Sequence, residues 1–269
     1  MRTPTFVSMT TLPSRIDRIR PTIESLLGGS HVPDKVLIAI PPFSQREQRE
    51  YVLPAFLDEF ERSVEVVRCG QDWGPGTKLL GSLDALPEQS YLVLADDDVI
   101  YKPSFLSGLI AAQSADHAAS FSYYVYRTGG LWVGQGVDGF SFWKPNLAGI
   151  TDFARAHIAN TPYRLHDDLW ISYYLATKGV QVKRVSPPDG SLIYEKNIDD
   201  SSLQNLSGAQ WRERLEREGL RHMLRTRTMP LASRWRLAVL NVTAGATSLW
   251  MRAFRKAQRT ALRLLGKKG

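Results

Sequence analysis

The stretch Tyr91–Tyr101 reads Tyr-Leu-Val-Leu-Ala-Asp-Asp-Asp-Val-Ile-Tyr, an apolar run that leads directly into three consecutive carboxylates. A continuous apolar run with β-branched content is typical of a strand buried on both faces of a parallel sheet. Acids at its end would lie at the carboxyl edge of that sheet, where open α/β folds bind ligands. Because adjacent carboxylates repel one another, Asp96, Asp97 and Asp98 predict a hard divalent cation, Mg²⁺ or Mn²⁺. The alternative is a solvated acidic turn after a strand.

The chain before this stretch alternates between strand-like and helix-like patterns. Three helices are predicted in this part of the chain. The first would be capped by Ser14 and end at Gly28, and the other two are Arg46–Phe60 and Thr77–Leu86. Such β-α alternation at short spacing predicts an α/β fold with a doubly wound, mostly parallel sheet. The predicted strands are Thr5–Thr10, Val36–Ile40, Val64–Val67 and Tyr91–Ala95.

The pattern changes after the acids. A helix is predicted over Pro103–Ala112, followed by short aromatic segments between glycine-rich turns, which indicate a smaller mixed or antiparallel region. The loop-like stretch Pro187–Ser207 could close over a site. The remaining predicted elements are strands at Ala119–Tyr126, Leu131–Val133, Gly139–Trp143 and Gln181–Val185, and helices at Asn146–Ile158 and His166–Lys178.

Length and composition fit an ordinary globular protein. A chain of 269 residues suffices for one large α/β domain, or for one domain with an appendage. The single cysteine, Cys69, excludes an intrachain disulfide, argues against a cysteine-based zinc site and fits a reducing compartment. Residues 1–15 lack the apolar core of a secretory signal.

The net charge of +7 is unevenly distributed. Residues 221–269 contain twelve Lys/Arg and no Asp/Glu, whereas residues 1–220 carry 22 Lys/Arg against 27 Asp/Glu, a net charge of −5. We therefore expect a domain at 1–210 and a basic amphipathic helical tail at 211–269. The tail's tryptophans and leucines at helical spacing favour an anionic membrane surface over nucleic acid, which places the protein in the cytoplasm at the inner face of the cell membrane. The alternative is a helix packed on the body with a solvated basic face.

A second acidic pair, Asp167-Asp168, opens the predicted helix about seventy residues after the triplet. A carboxylate held near a substrate hydroxyl can act as a general base. The alternative is structural, since acids at a helix N-terminus interact favourably with the helix dipole.

Taken together, the two acidic motifs resemble a GT-A-fold glycosyltransferase of the glycosyltransferase family 2 type over roughly residues 4–200. The resemblance implies that Asp96 and Asp98, as the Asp-x-Asp positions, coordinate a divalent metal on a nucleotide-sugar diphosphate. Asp96 or Asp97 would face the ribose or share the metal, and Asp168 would be the catalytic base. The first acid of the later pair is Asp167 where the family has Glu, which leaves the assignment between Asp167 and Asp168 open.

Further donor-side candidates follow the first and third strands. In the loop Arg68–Lys78, glycines allow close backbone approach and Lys78 could meet a phosphate. Asp72 could contact the base or ribose, while Thr10 and Arg15 would border the nucleotide in a fold of this type. The alternatives are a tight turn with a surface lysine, and a solvated Arg15.

The acceptor-side candidates are Asp138, Gly139 and Trp170. Asp138 and Gly139 lie in a glycine-rich loop before an aromatic strand, and Trp170, Trp132 or Trp143 could stack on a sugar. The alternatives are a turn residue beside glycine and tryptophans that belong to the core.

The resulting functional prediction is a metal-dependent inverting glycosyltransferase. It would use a nucleotide-diphosphate sugar and a glycan or lipid-linked acceptor, in a setting such as bacterial surface polysaccharide synthesis. One alternative is a sugar nucleotidyltransferase, although the chain has no Gly-rich, Arg-containing signature after its first strand. Another is a catalytically inactive membrane-surface binding protein on the same fold.

Overall fold

A computed structural model describes residues 2–187, 193–196, 203–226 and 228. The strands in the described residues are β1 Thr5–Met9, β2 Lys35–Ile40, β3 Phe43–Ser44, β4 Arg49–Glu50, β5 Val64–Arg68, β6 Tyr91–Leu94, β7 Val99–Tyr101, β8 Ala119–Ser122, β9 Val125–Thr128, β10 Leu131–Gly134, β11 Phe140–Trp143, β12 Gln181–Arg184 and β13 Tyr194–Lys196. Seven of them form a central sheet in the order β12-β8-β11-β6-β1-β2-β5.

Helices cover both faces of this sheet. Short 3-10 helices fill several connections, among them Ile16–Arg18, Ala55–Phe60 and Gly74–Gly76. The α-helices of the described residues are α1 Arg20–Leu27, α2 Thr77–Leu80, α3 Phe105–Ala115, α4 Ile150–His157, α5 Asp167–Thr177 and α6 Leu203–Arg225.

The predicted doubly wound, mostly parallel sheet is confirmed. Strands β6, β1, β2 and β5 run parallel to one another, as do β8 and β12, while β11 is antiparallel to both β6 and β8. The chain moves outward from β1 to β2 and β5, then returns to place β6 on the other side of β1. A crevice is expected at such a change of direction, outside the carboxyl ends of β1 and β6.

Burial on both faces explains the apolar strands. In β6, Leu92 and Leu94 face one core, with α5 and α6, while Val93 faces the other, with α1 and α3. All four residues of β6 are buried. An apolar run without alternation is therefore what the position of β6 requires.

The predicted helix at Arg46–Phe60 is wrong. This segment contains part of the short β3–β4 hairpin and then the 3-10 helix Ala55–Phe60. Pro54 cannot lie in a helix interior without the loss of a backbone hydrogen bond, and Gln48 adopts a left-handed φ of 54° in the turn. Ser14 caps no helix, because its hydroxyl donates to Glu47 of this hairpin.

Two further predictions need correction. The predicted strand Ala119–Tyr126 is divided between β8 of the main sheet and β9 of a separate two-stranded hairpin with β10. The predicted loop Pro187–Ser207 contains β13, which pairs antiparallel with β7 directly after the acidic triplet. The local sequence did not indicate β13, because this three-residue strand is defined by its pairing with β7 and not by a pattern of its own.

Helix α6 packs against the body of the protein. It runs without interruption through the predicted boundary between residues 210 and 211, and its Leu215, Leu220 and Met223 are buried. The Tyr173 hydroxyl of α5 donates to the Met223 carbonyl at 2.8 Å. The boundary stays a prediction, as does the rest of the basic tail, because residues 229–269 lie outside the described residues. Within the described segments, no helix combines the length and apolarity needed to cross a membrane.

Candidate active site

The acidic triplet lies at the carboxyl end of β6, beside the end of β1. The Ala95 amide donates to the Ser8 carbonyl at 3.0 Å, and Ser8 pairs with Leu94 in the parallel ladder. The same register places Thr10 alongside Asp96, at the crevice where the sheet order changes direction. This is the edge that the sequence predicted for a ligand site.

The three aspartates have different environments. Asp97 is 5% exposed and pairs with the Arg15 guanidinium, which also lies 3.2 Å from Oδ2 of Asp98. Burial raises the pKa of Asp97 to about 6, against the lowering effect of Arg15. The side chains of Asp96 and Asp98 remain 33% and 24% exposed. Asp97 is therefore the buried member of the triplet, and Asp96 and Asp98 are its partly exposed members.

The turn after the triplet is fixed by buried polar groups. The Tyr101 hydroxyl accepts a hydrogen bond from the Asp96 amide at 2.8 Å, and the Tyr101 amide donates to Ser25 Oγ at 3.0 Å. The Thr22 hydroxyl lies 2.8 Å from the Val99 carbonyl. These contacts from α1 and β7 hold Asp96 and Asp98 at the mouth of the crevice.

The second acidic pair forms the first turn of α5. Asp167 and Asp168 are 6% and 8% exposed, and Asp168 Oδ1 accepts a hydrogen bond from the Gly136 amide at 2.9 Å. Burial and the neighbouring Asp167 raise the pKa of Asp168 to about 7, although Lys78 opposes this shift. A carboxylate with such a pKa can accept a proton near neutral pH.

Lys78 joins the two acidic motifs. Its Nζ lies 2.7 Å from Asp96 Oδ1 and 3.2 Å from Asp167 Oδ2, and the residue is only 4% exposed. Burial disfavours the charge, but Asp167 and Asp96 hold the pKa of Lys78 well above its ordinary value. The alternative of a surface lysine is therefore wrong. Acids about seventy residues apart in sequence meet through one ammonium group.

Asp72 lies beside an open groove beyond β2 and β5. Its carboxylate accepts hydrogen bonds from the Gly74 amide at 2.6 Å and the Gln45 amide at 2.8 Å, so it ties two loops together. The groove has a volume of about 450 Å³, and Phe43 and Arg164 contribute to its lining. The geometry leaves Asp72 at the edge of a space suitable for part of a ligand.

Trp170 does not lie on an acceptor surface. It is 1% exposed, and a Cβ added at Gly76 would lie 2.6 Å from its Cζ2 atom. The prediction that Trp170 stacks on a sugar is therefore wrong for this conformation, because the ring belongs to the core between α5 and the Gly74–Gly76 turn. Trp132 is instead 51% exposed, with the Arg127 guanidinium 5.4 Å from its ring.

The other two acceptor-side candidates lie in the loop between β10 and β11. Asp138 is partly buried, and its burial and the charge of Asp96 raise its pKa to about 6. Gly139 has a φ of 71°, and a Cβ there would lie 2.6 Å from Leu109 Cδ1. The backbone of this loop therefore requires glycine at position 139, and the loop lies close enough to Asp96 for that charge to raise the pKa of Asp138.

Gly136 is a site residue that the sequence did not single out. Its amide holds Asp168, and a Cβ added to it would lie 2.7 Å from Lys78 Nζ. The signal available in the sequence was the glycine-rich run Gly134–Gly139, which indicated a flexible loop but not its partner.

A hard divalent cation fits the two partly exposed members of the triplet. No group of three or more His, Cys, Asp or Glu side chains in the described residues forms a complete metal cluster. Asp96 and Asp98 are oxygen donors that face the crevice, whereas Asp97 is enclosed with Arg15. Mg²⁺ is often held by one or two carboxylates together with phosphate oxygens and water. Two carboxylates at an open edge match that donor set.

No family model matches the chain, and no curated protein sequence matches it. Among solved structures, the chain is similar to the mannosyltransferase PcManGT from Pyrobaculum calidifontis in complex with GDP-Man and Mn²⁺, with a TM-score of 0.52 and 14% identity over 98% of this chain and 80% of that chain. At this identity the similarity shows the fold alone, which is GT-A-like.

Two weaker similarities are to cytidylyltransferase-type enzymes. The 2-C-methyl-D-erythritol 4-phosphate cytidylyltransferase of Francisella tularensis has a TM-score of 0.44 and 13% identity over 78% of this chain and 99% of that chain. A 4-diphosphocytidyl-2C-methyl-D-erythritol synthase has a TM-score of 0.45 and 12% identity over 77% of this chain and 96% of that chain.

Proposed function

We propose that the protein is a metal-dependent inverting glycosyltransferase that moves a sugar from a nucleotide-diphosphate sugar to an acceptor hydroxyl. The observation that carries the proposal is the meeting of Asp96 with Asp167 and Asp168 through Lys78, at the ligand-binding edge of the sheet. This arrangement brings partly exposed carboxylates, which would be the metal ligands, and a buried carboxylate, which would be the base, to one edge of the sheet. The GT-A-like fold shared with a mannosyltransferase bound to GDP-Man and Mn²⁺ supports it.

The donor would bind across the triplet. Asp96 and Asp98 would hold Mn²⁺ or Mg²⁺, which when bound neutralises charge on a diphosphate leaving group. Arg15 keeps Asp98 in place through their 3.2 Å contact, and Arg15 is itself held by an ion pair with the buried Asp97. The nucleoside would extend past Thr10 toward the groove that Asp72 borders.

Asp168 would act as the base. The acceptor oxygen forms a bond to the anomeric carbon, the bond from that carbon to the diphosphate breaks, and the hydroxyl proton passes to Asp168. The pKa of about 7 allows Asp168 to be ionised near neutral pH and to accept this proton. Attack on the face opposite the departing diphosphate inverts the anomeric centre.

The test is turnover of a panel of nucleotide sugars, with and without EDTA, by the wild type and two variants. We expect loss of turnover with EDTA and with Asp98→Ala, and a fall of about 100-fold or more with Asp168→Asn. Turnover that survives EDTA and Asp98→Ala would contradict the metal role. Pyrophosphate release from a nucleoside triphosphate and a sugar phosphate would instead identify a nucleotidyltransferase.

The acceptor and the location belong to the same proposal. A glycan or lipid-linked acceptor at the inner face of the cell membrane, as in bacterial surface polysaccharide synthesis, would suit the basic segment 221–269. This segment carries twelve Lys/Arg and no acid, a composition that binds anionic lipid.

A further inference from the structure

We propose that Lys78 is a positioning residue that holds the donor-side Asp96 and the base-side pair Asp167-Asp168 in one working arrangement, and that it is not a phosphate ligand. This inference rests on the proposed function. It differs from the expectation drawn from the sequence, in which Lys78 meets the donor phosphate.

The position of Lys78 is set by its backbone as well as its side chain. Its carbonyl accepts a hydrogen bond from Ser8 Oγ at 2.5 Å, which joins α2 to β1, and another from Ser82 Oγ at 2.9 Å, just after α2. From there the side chain runs beneath the crevice to Asp96 and Asp167. With 4% of the residue exposed, the ammonium is poorly placed to leave its carboxylates for a ligand in the crevice.

Gly136 makes room for this ammonium. A Cβ at position 136 would lie 2.7 Å from Lys78 Nζ and 3.6 Å from Asp168 Oδ1. The Gly136 amide also donates to Asp168. Four separate segments therefore converge on one charge: the end of β6, the helix α2, the glycine loop and the start of α5.

The consequence of removing this charge follows from electrostatics. A buried cation paired with several carboxylates offsets their mutual repulsion, and an uncompensated buried charge is costly. Without Lys78, Asp168 would bind a proton more readily, whereas the Asp96 backbone would keep its hydrogen bond to the Tyr101 hydroxyl. Among the charged groups that act on Asp168 are Asp167, Lys78 and Asp96, and the Gly136 amide donates to it.

The experiment compares Lys78→Met with wild type, using Lys183→Met as a matched control on the surface of β12. We expect Lys78→Met to bind UDP or GDP with Mn²⁺ within about threefold of wild type by calorimetry. Its kcat should fall by about 100-fold, and the acid limb of its kcat/KM profile should move to higher pH by about one unit. Lys183→Met, which removes a surface pair with the partly exposed Asp116, should show neither effect.

The opposite pattern would overturn the inference. If Lys78→Met loses nucleotide binding while kcat and the acid limb at saturating donor stay unchanged, Lys78 is a phosphate ligand. A wild type that neither binds a nucleoside diphosphate nor turns over a nucleotide sugar would instead refute the proposed function itself, so the two failures can be told apart.

A second comparison covers the case in which Lys78→Met does not fold. In the Asp167→Asn variant, the buried Lys78–Asp167 pair has already lost its negative charge. Adding Lys78→Met to this variant therefore leaves less uncompensated buried charge than Lys78→Met leaves in the wild type. We expect the double variant to show a higher acid limb than Asp167→Asn alone, because Lys78 still lowers the pKa of Asp168. Identical acid limbs would overturn the positioning role.

Discussion

At the scale of single residues, neighbouring acids differ because their surroundings differ. Asp97 is enclosed with Arg15, while Asp96, its neighbour in sequence, keeps a third of its side chain exposed and pairs with Lys78. Asp168 is buried beside another acid and is raised in pKa to about 7. Burial and pairing, and not residue type, therefore give these carboxylates different exposure and different pKa values.

Asp168→Asn should raise the melting temperature while it lowers turnover. Between the ordinary pKa of 3.8 and the folded value of about 7, the folded protein holds a proton that the unfolded chain has released. Asp168 therefore lowers the free energy of unfolding progressively as pH rises from about 4 to about 7. Above pH 7 this destabilisation stays constant. Asparagine does not titrate and so lacks this destabilisation. The melting temperature of Asp168→Asn should therefore exceed that of the wild type by more at pH 8 than at pH 5.

The matched control for this prediction is Asp116→Asn. A hydrogen bond from Lys183 lowers the pKa of Asp116, so its stabilising contribution is present above its ordinary pKa and is lost as pH falls. This variant should show no gain in melting temperature at pH 8. Equal gains for Asp168→Asn at both pH values would contradict the assigned titration.

Gly136→Ala should impair the site through one methyl group. Its Cβ would lie 2.7 Å from Lys78 Nζ, so the lysine must move away from Asp96 and Asp167. We expect a loss of about 1–3 kcal/mol in the free energy of unfolding, together with reduced turnover. Gly70→Ala is the control for folding, because a Cβ there meets nothing within 4 Å, and it should leave denaturant unfolding close to wild type.

At the scale of elements, the site is built where strand ends meet a helix start. Parallel β1 and β6 bring Thr10 and Asp96 to one edge, and α5 begins at that edge with Asp167. Helix α5 is buried along most of its length, including Trp170, and α6 covers part of it. The second acidic pair is therefore held by the core.

Leu220→Ala should show that α6 stabilises the α/β body. Leu220 is 1% exposed and belongs to the core that contains Leu169 and Tyr173 of α5. We expect a loss of roughly 2–4 kcal/mol in the free energy of unfolding, measured by urea denaturation. Arg221→Ala, at the next and exposed position, should change the free energy of unfolding by less than about 0.5 kcal/mol. A similar small loss for both variants would indicate that α6 is an appendage.

At the scale of the whole molecule, charge is divided between a mildly acidic body and a basic C-terminal part. The segment after Thr228 contains nine Lys/Arg and no Asp or Glu. Such a segment adds electrostatic attraction to an anionic lipid surface, and this attraction weakens as salt screens it.

The full chain should therefore bind vesicles that contain phosphatidylglycerol, and bind phosphatidylcholine vesicles weakly. Replacing Arg252, Arg255, Lys256 and Arg259 together with Gln should reduce cosedimentation with the anionic vesicles by about tenfold or more, since each basic residue near the surface contributes about 1 kcal/mol. Binding of the wild type should fall as salt is raised.

A control for the vesicle experiment removes the same number of charges from the body. Arg2, Arg49, Arg155 and Lys183 are all exposed, and their joint replacement with Gln should leave vesicle binding near wild type. If both quadruple variants bind equally well, the basic segment is not the membrane-binding part.

The sequence by itself determined the sheet and the acidic residues at one of its edges. The apolar run of β6, the β-α alternation before it and the acids that follow it depend on local periodicity, which a single chain displays directly. The same reasoning marked Asp167-Asp168 as the start of a helix, and α5 begins there. It failed at Arg46–Phe60, where Pro54 and a turn outweighed helical spacing.

Only the tertiary structure decided which charges meet and which side chains are enclosed. That Arg15 pairs with Asp97, that Lys78 links Asp96 to Asp167, and that Trp170 is buried against Gly76 all depend on segments far apart in the chain. Burial and pairing are set by these long-range contacts, whereas periodicity records only which face of an element is apolar. The acidic triplet could thus be found from sequence, but its division into a buried anchor and two crevice-facing carboxylates could not.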